Sequence, residues 1–533
     1  MKLVDRFGKL MANLYGDETA HLGASRTARE VAGWEPTGGD ADATVLPELD
    51  KLTSRSHDLH RNSGLAQNIR QTRIDSIVGE GLFWQPKPNW QVLGRTREWM
   101  HEWSEIVRPH WEDYSGSRFF DYDGLDNFHS ILRLMYSSRW SSGSAIAIPM
   151  WEEGRAGTIY RTSFKVVEAD RLCNPENRED TAKIRGGVER DKAGKVVAYY
   201  IRNFHPGTHV EESERESWER IPAFDKFGRR KFIHLFHRDR PGQTRGKSAI
   251  ASVMALFGLR GKYQLTEAQA AEVSSRIAGV METPLSDEQA AELFGGKSSD
   301  YSELRKTWSG KLTSGMILRL PPGTKYASHI PNRPATAYVG FMDHISREIC
   351  LAGGMPEALG ARRLDNVNYS SARAAFLEAW RGFYVDRSEV IYQAANAFAE
   401  LWLEDAADLG VIDAPGFEMN RSAYCRGTWL GKGMLPIDQE KAEKANALAL
   451  ENNTTTLEAI YAEKGEDWRE KIEQRHREEL AAIENRFRVK AAEAEFRETY
   501  GVEIDPPEEP GDPEEPDDEP PDDSEEEEID DES

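Results

Sequence analysis

The sequence has no run of about 18 or more apolar residues, so it offers no candidate for a membrane-spanning helix. Cysteine is scarce. Cys173, Cys350 and Cys425 are far apart and odd in number. That excludes a disulfide framework and any Cys-x-x-Cys metal or redox motif, and it points to synthesis in a reducing cytoplasm. HExxH and GxSxG are both missing. The opening segment MKLVDRFGKLMANLYGDE is charged throughout, lacks an apolar centre and does not read as a secretory signal. Positive charge is absent from residues 503–533, which hold 19 Asp or Glu and no Lys or Arg. Removing that tail takes the formal net charge from −24 to −5 over 502 residues. The acidity therefore belongs to the tail and does not argue against a nucleic-acid partner. The whole chain, tail included, is 39% hydrophobic and 30% charged over 533 residues. At ~100–200 residues per domain, that is a soluble globular chain of about three domains.

Along the chain, residues 1–50 read as a short helix near 2–14 followed by an extended arm with little core potential. Residues 61–78 read as one helix, with Leu65, Ile69 and Ile77 at multiples of four. A strand follows at Leu82–Trp84. Trp99, Trp103, Ile106 and Val107 mark a helix stopped near Pro109, and Phe128, Ile131, Leu132 and Met135 mark another. Residues 158–201 are strand-like. GGVERDKAGKVVAYYI reads as a hairpin, and KFIHLFH as a further strand. Residues 248–283 read as a long helix poor in large apolar side chains, suited to close packing against copies of itself. An insert at 285–335 contains the helical DEQAAELF and the strand-like GMILRL. Residues 336–352 are helical, Gly353-Gly354-Met355-Pro356 breaks the helix, and ARRLDNVNYS is a loop. Residues 371–408 form a long helix with Phe376, Trp380, Phe383, Phe398 and Trp402 on its apolar face. Residues 437–500 are almost all helix with solvated-surface charge patterning. The tail has too few apolar groups to order itself.

Chemistry is hard to find. Gly246-Lys247-Ser248 follows a strand and precedes a helix, as a phosphate loop requires. Pro241 stands where the motif needs its first glycine, and Gly242 leaves the spacing one residue short. Gly296-Lys297-Ser298 needs a glycine where Ala291 stands, inside a helix. The thirteen histidines include the pairs His205/His209, His234/His237 and His57/His60, none with helical metal-ligand geometry. The expectation is a non-enzyme with no cofactor and no metal. Basic residues are dispersed, with no aromatic-interleaved patch for base stacking, which leaves weak backbone contact as the only nucleic-acid role.

Four stretches then carry a resemblance. They are DLHRNSGLAQNIRQTRIDSIVGEGL at 58–82, ADRLCNPENRED with the following hairpin, PGQTRGKSAIASVM at 241–254, and NYSSARAAFLEAW with the later WLGKGMLPID. In order and spacing, from about residue 50 to about 480, the chain resembles the lambda-type portal proteins of tailed bacteriophages. The resemblance implies an α+β, helix-rich portal fold and a ring of twelve subunits at one capsid vertex. Double-stranded DNA would pass through its axis, without base readout. It implies terminase large subunit, head-tail connector, major capsid and scaffolding proteins as partners. The location implied is the virion, after assembly in the host cytoplasm, with no membrane role. The competing readings are a packaging ATPase using Gly246-Lys247-Ser248, and another head-associated scaffold or adaptor.

The same resemblance maps the chain between an arm at 1–50 and the acidic tail at 503–533, which fall outside it. It implies a wing at 51–247, a first stem helix at 248–283, a clip at 284–335 and a second stem helix at 336–354. A tunnel loop at 355–370, a long wing helix and return at 371–436 and a crown at 437–502 complete it. The implied DNA-facing residues are Arg362, Arg363, Asn366, Asn368 and Tyr369. Ring packing would use Ala268, Ala271, Ser275, Ala278 and Gly279. Clip docking would use Lys311, Arg319, Lys325 and Arg333.

Overall fold

The computed structural model describes residues 38–281, 284–307, 316–321, 338–363, 368–434, 436 and 438–501, with a few isolated positions before residue 38. The expected helix at 2–14 and the acidic tail lie outside the described residues. The chain divides into two units, Met1–Glu466 and Asp467–Ser533.

Where an extended arm was expected, a short helix (Ala41–Val45) and a 3-10 turn (Leu46–Glu48) lead into α1 (Leu49–Asn62) and α2 (Gly64–Ile77), which correct the single helix expected over 61–78. Between them Ser63 is extended, and its hydroxyl accepts from the Ala66 amide at 3.4 Å. That cap starts a new helix where a continuous one was read. α1 itself escaped notice because its buried positions are Leu49, Thr53, Ser56 and His60, a helical stripe with one apolar member. The arm before it is not free of the body. Asp42 is buried and accepts from the Thr244 amide at 2.7 Å and hydroxyl at 2.6 Å.

Strand β1 (Phe83–Pro86) pairs antiparallel with β11 (Gly427–Leu430), joining the two ends of the first unit. α3 (Arg97–Gly116) runs through Pro109 instead of stopping there. Pro109 and Glu105, whose carbonyl loses its partner, are both exposed, so the break falls on the solvent side of the helix. α4 (Phe128–Ser142) ends at Gly143, whose φ of 82° closes the helix. β2 (Ser144–Trp151), β3 (Thr162–Val167) and β8 (Ile233–Phe236) form an antiparallel sheet in the order β3-β2-β8. β4 (Ile184–Arg185), β5 (Val188–Arg190), β6 (Val196–Arg202) and β7 (Trp218–Pro222) form an antiparallel meander that contains the expected hairpin.

α5 (Met254–Arg276) is shorter than the helix expected over 248–283, because the chain turns into β9 (Ile277–Met281). β9 pairs parallel with β10 (Met316–Arg319). Between them lie α6 (Asp287–Phe294), closed by a Ser286/Gln289 capping box, and α7 (Ser298–Thr307), which the sequence reading missed. α8 (Tyr338–Ala352) follows, and then one helical turn, Glu357–Gly360, inside the segment read as loop.

α9 (Tyr369–Val390) passes through a π-helical turn, Ile391–Ala395, into α10 (Asn396–Asp408). The turn places Gln393 to accept from the Phe236 amide at 3.0 Å, and Asn396 to accept from Trp429 Nε1 at 2.7 Å. The core gathers around aromatic rings. Trp111 meets Trp84, Phe128 and Trp402 edge-on at centroid distances of 5.7, 5.1 and 5.3 Å. Phe164 and Phe398 cross at 4.5 Å. Such edge contacts add about 0.5–1.5 kcal/mol each beyond area burial. α11 (Gln439–Glu451) and α12 (Leu457–Lys464) close this unit. The second unit is described from α13 (Trp468–Tyr500), a 33-residue helix with no buried residue.

Candidate functional site

The features of interest meet where α5 and α8 leave the body. α8 buries Met342, Ile345, Ile349 and Cys350, a stripe at helical spacing. α5 lies beside it. Tyr263 stacks on Tyr338 at 5.5 Å and meets Phe341 edge-on at 5.2 Å, and Arg260 Nε donates to Ser346 Oγ at 3.3 Å. Ala268 and Ala271 are exposed on α5. Ser275 lies in the last turn of α5, whereas Ala278 and Gly279 belong to β9 and not to a helix. The small-residue run is thus helical only in its first part.

The chain beyond α8 is held at its root. Gly354 has a φ of 67°, and a Cβ there would sit 2.8 Å from Arg73 Nη1. Arg73 donates to the Gly353 carbonyl at 3.3 Å, and Asn68 Nδ2 donates to the carbonyls of Leu359 and Gly360 at 3.2 and 2.7 Å. Arg73 in turn pairs with Asp386 of α9, which also accepts from the Tyr136 hydroxyl at 3.0 Å. Burial works against the Arg73 charge, but Tyr136 and Asp386 outweigh it and hold its pKa above the ordinary value. Arg139 joins Asp386 to Glu389, and His237 Nδ1 lies 3.1 Å from Glu389. Of these, Arg73, Tyr136, Arg139, His237 and Asp386 border a cavity of about 360 Å³ together with Lys247 and Asp239. Its cations are matched by carboxylates, since Lys247 pairs with Asp239.

The implied DNA-facing residues separate in their surroundings. Arg362 is exposed, with a φ of 53°. Arg363 is tied to Asp343 and lies 3.9 Å from Glu357. Asn368 caps α9, accepting from the Ser371 amide at 2.9 Å, and Tyr369 is that helix's first residue. Asn366 lies outside the described residues, as do Lys311, Lys325 and Arg333; Arg319 lies in β10. Asn68, Arg73 and Asp386 were not singled out from sequence. They read as ordinary polar positions of amphipathic helices, and their partners lie roughly 280 to 310 residues away.

The stretch around Gly-Lys-Ser is a structural rivet. Gly246 packs on Gly143 so closely that a Cβ on it would lie 1.8 Å from the Gly143 carbonyl oxygen. Ser248 donates to Ser56 Oγ at 2.9 Å. Arg245 is fully enclosed and donates to the carbonyls of Leu172, Gly186 (3.1 Å) and Ala169 (2.9 Å). Burial lowers its pKa to about 10, still well above neutrality, so it stays charged. The elements of a phosphate-binding loop are therefore engaged in holding the arm, the meander and the start of α5 together. Among the described residues, no group of three or more His, Cys, Asp or Glu is placed to hold a metal ion. No described helix is long and apolar enough to cross a membrane.

Comparison with known proteins gives the family. The portal protein of Escherichia phage N15 is 28% identical over 480 residues, covering 86% of this chain and 89% of its own. Portal protein B of Escherichia phage lambda is 27% identical over 480 residues with the same coverage. The probable portal protein of Halomonas phage phiHAP-1 is 24% identical over 436 residues, with 80% of each chain covered. Among solved structures, a chain from the neck of a native GTA particle computed with C12 symmetry aligns with a TM-score of 0.39 and 14% identity. It covers 69% of this chain and 87% of that one. The family model for phage portal proteins of the lambda family matches residues 27–387, and the chain belongs to that family.

Proposed function

We propose that this portal protein forms a closed ring, of twelve copies, through which double-stranded DNA is packaged and later ejected. The observation that carries the reading is the arrangement α5, insert, α8, followed by a segment clamped at its root by Asn68 and Arg73. In that reading the pair α5/α8 is the stem and residues 284–335 are the clip. The clip faces the terminase large subunit and then head-tail connector proteins, using Lys311, Arg319, Lys325 and Arg333. The stem packs against neighbours through small side chains such as Ala268 and Ala271, which are exposed in the single chain. The segment 355–370 is the tunnel loop. Residues 51–247 and 371–436 are the wing, and 437–502 the crown.

A conduit must touch DNA without holding it, because each added phosphate contact strengthens binding through counterion release. The loop suits that need. Arg362 is exposed, whereas Arg363 spends its charge on Asp343. Arg362 is thus the stronger of the two arginine candidates for phosphate contact. The protein is not itself the motor in this reading, since Gly246, Lys247 and Ser248 are engaged in internal contacts. Scaffolding and major capsid proteins are the partners during assembly in the host cytoplasm, and the virion vertex is the destination.

Electron microscopy of the purified full chain, with its solution mass, tests the proposal. Rings with a central channel and a mass of many subunits are expected. A strict monomer that hydrolyses ATP, with hydrolysis lost in Lys247→Ala, would overturn it in favour of a packaging ATPase.

A further inference from the structure

A groove of about 560 Å³ opens beside the π turn. The turn and the start of α10 line it with Tyr392, Gln393, Asn396 and Glu400. Arg230, just ahead of β8, and Arg426, just ahead of β11, line it as well. Pockets of roughly 300–1,000 Å³ are the size that takes a small ligand or a protruding side chain.

The groove is rich in donors without acceptors. Gln393 Oε1 accepts from the Phe236 amide and Asn396 Oδ1 from Trp429 Nε1. Both partners can only donate, so they fix which end of each carboxamide is the oxygen. The amino ends of Gln393 and Asn396 are left without a partner among the described residues. The arginines add to them. In the run Arg229-Arg230-Lys231, Arg229 turns inward and donates to Thr162 Oγ1 at 2.9 Å. Arg230 lies with its guanidinium 5.2 Å from the Phe224 ring, and its Nε is buried with no hydrogen-bond partner. Arg426 is exposed, and its carbonyl is held by the Lys87 amide at 2.9 Å. Among the described residues neither Arg230 nor Arg426 pairs with a carboxylate. Glu400 does not compensate them, since it lies 3.5 Å from Arg421. His234, also on the groove, adds no charge, because burial, with Arg245 nearby, holds its pKa well below the ordinary value.

We propose that this groove binds a carboxylate on an acidic segment of a partner protein. A guanidinium matches a carboxylate through two parallel hydrogen bonds, and the two amino ends supply further donors. A buried donor with no acceptor is unfavourable, and a bound carboxylate would remove that cost at Arg230. Tyr392, 80% exposed, offers a flat apolar face to the rest of the segment. Nucleic acid suits the groove less. Its affinity comes from many phosphate contacts along a track, whereas two cations stand here in one pocket beside Glu400. A second copy of the chain suits it less too, because lasting contacts between identical chains are broad and apolar at their centre. The groove is complete within one chain, so the inference does not depend on the ring.

A fluorescein-labelled hexaglutamate peptide, titrated into the full chain at physiological ionic strength and followed by anisotropy, tests the proposal. Saturable binding of one peptide per chain is expected, against the repulsion of the chain's net negative charge. Arg230→Gln and Arg426→Gln should each weaken it by about tenfold or more. Arg55→Gln, which removes an exposed cation on α1, should leave it unchanged. Gln393→Glu and Asn396→Asp keep the oxygens that hold Phe236 and Trp429 and replace only the free amino ends, so they should weaken binding while the thermal midpoint holds. Absence of binding would overturn the proposal. So would an equal loss in Arg55→Gln, which would show diffuse attraction. Tighter binding of inorganic phosphate or of a thymidine oligonucleotide, displacing the peptide, would overturn it in favour of a phosphate ligand. Light scattering on the same samples separates the remaining case. Particles that fall to monomers in Arg230→Gln and Arg426→Gln, with no peptide bound by either state, would make the groove a contact between copies and overturn a separate partner. Peptide binding by a chain that forms no particle would support the groove and count against the ring alone.

Discussion

Gly246 and Lys247 are neighbours with opposite consequences. A Cβ at Gly246 collides with backbone at Gly143, which cannot move aside as a side chain would. Gly246→Ala should cost at least ~2–3 kcal/mol, the range for overpacking and backbone strain, and lower the thermal midpoint sharply. Lys247 makes a half-exposed pair with Asp239, and Lys247→Ala should cost about 0–1 kcal/mol. A phosphate-binding role predicts the reverse emphasis, with Lys247 the residue whose loss abolishes activity. His60 provides a second residue-scale test. Burial, with Arg70 nearby, lowers its pKa from 6.5 to about 4. The unfolded chain therefore binds more protons between those values, so stability falls as pH drops from about 6.5 towards 4. His60→Leu should flatten that limb, and a difference of up to ~3 kcal/mol between wild type and variant should open across the window in urea unfolding. An acid limb unchanged by the substitution would remove His60 as its cause.

At the scale of elements, legibility followed the chemistry of the buried face. α4 was readable because its buried positions include Phe128, Ile131, Leu132 and Met135, apolar and at helical spacing. α1 was not, because its buried stripe is Leu49, Thr53, Ser56 and His60. Ser63 hid the boundary between α1 and α2, since a cap differs from a helical serine only by its backbone angles. Pro109 misled in the other direction, because an exposed proline costs a helix less than the residue type suggests. The paired helices were legible, and their lengths were not. The root of the loop beyond α8 depends on Asn68, which carries two carbonyl contacts across almost 300 residues of sequence. Asn68→Ala should cost ~1–2 kcal/mol and raise hydrogen exchange at 353–363 while leaving the β3-β2-β8 sheet protected. Uniform exchange throughout the first unit would show instead that the root has no separate stability.

For the whole molecule, charge is the property most unevenly distributed. The 19 carboxylates after residue 502 account for most of the net −24. Truncation after Gly501 should leave ring assembly intact and tighten non-specific DNA binding in an electrophoretic shift at low salt. At high salt the difference should vanish as the charges are screened. Equal affinity at every salt concentration would leave the tail a solubilising role only.

The relation between the two halves of the long α9–α10 rod is set by the π turn at Ile391–Ala395. Before it, Asp386 and Arg387 face α2 and the root of the loop; after it, Phe398, Trp402 and Asp405 face the aromatic core and the start of β3. Were the same residues wound as ordinary α-helix, everything beyond the turn would swing by about 90°. The surplus residue thus works as a phase setting. It lets one rigid rod present the correct side to each of two unrelated partners, and it carries any rotation of the loop end directly to the sheet end.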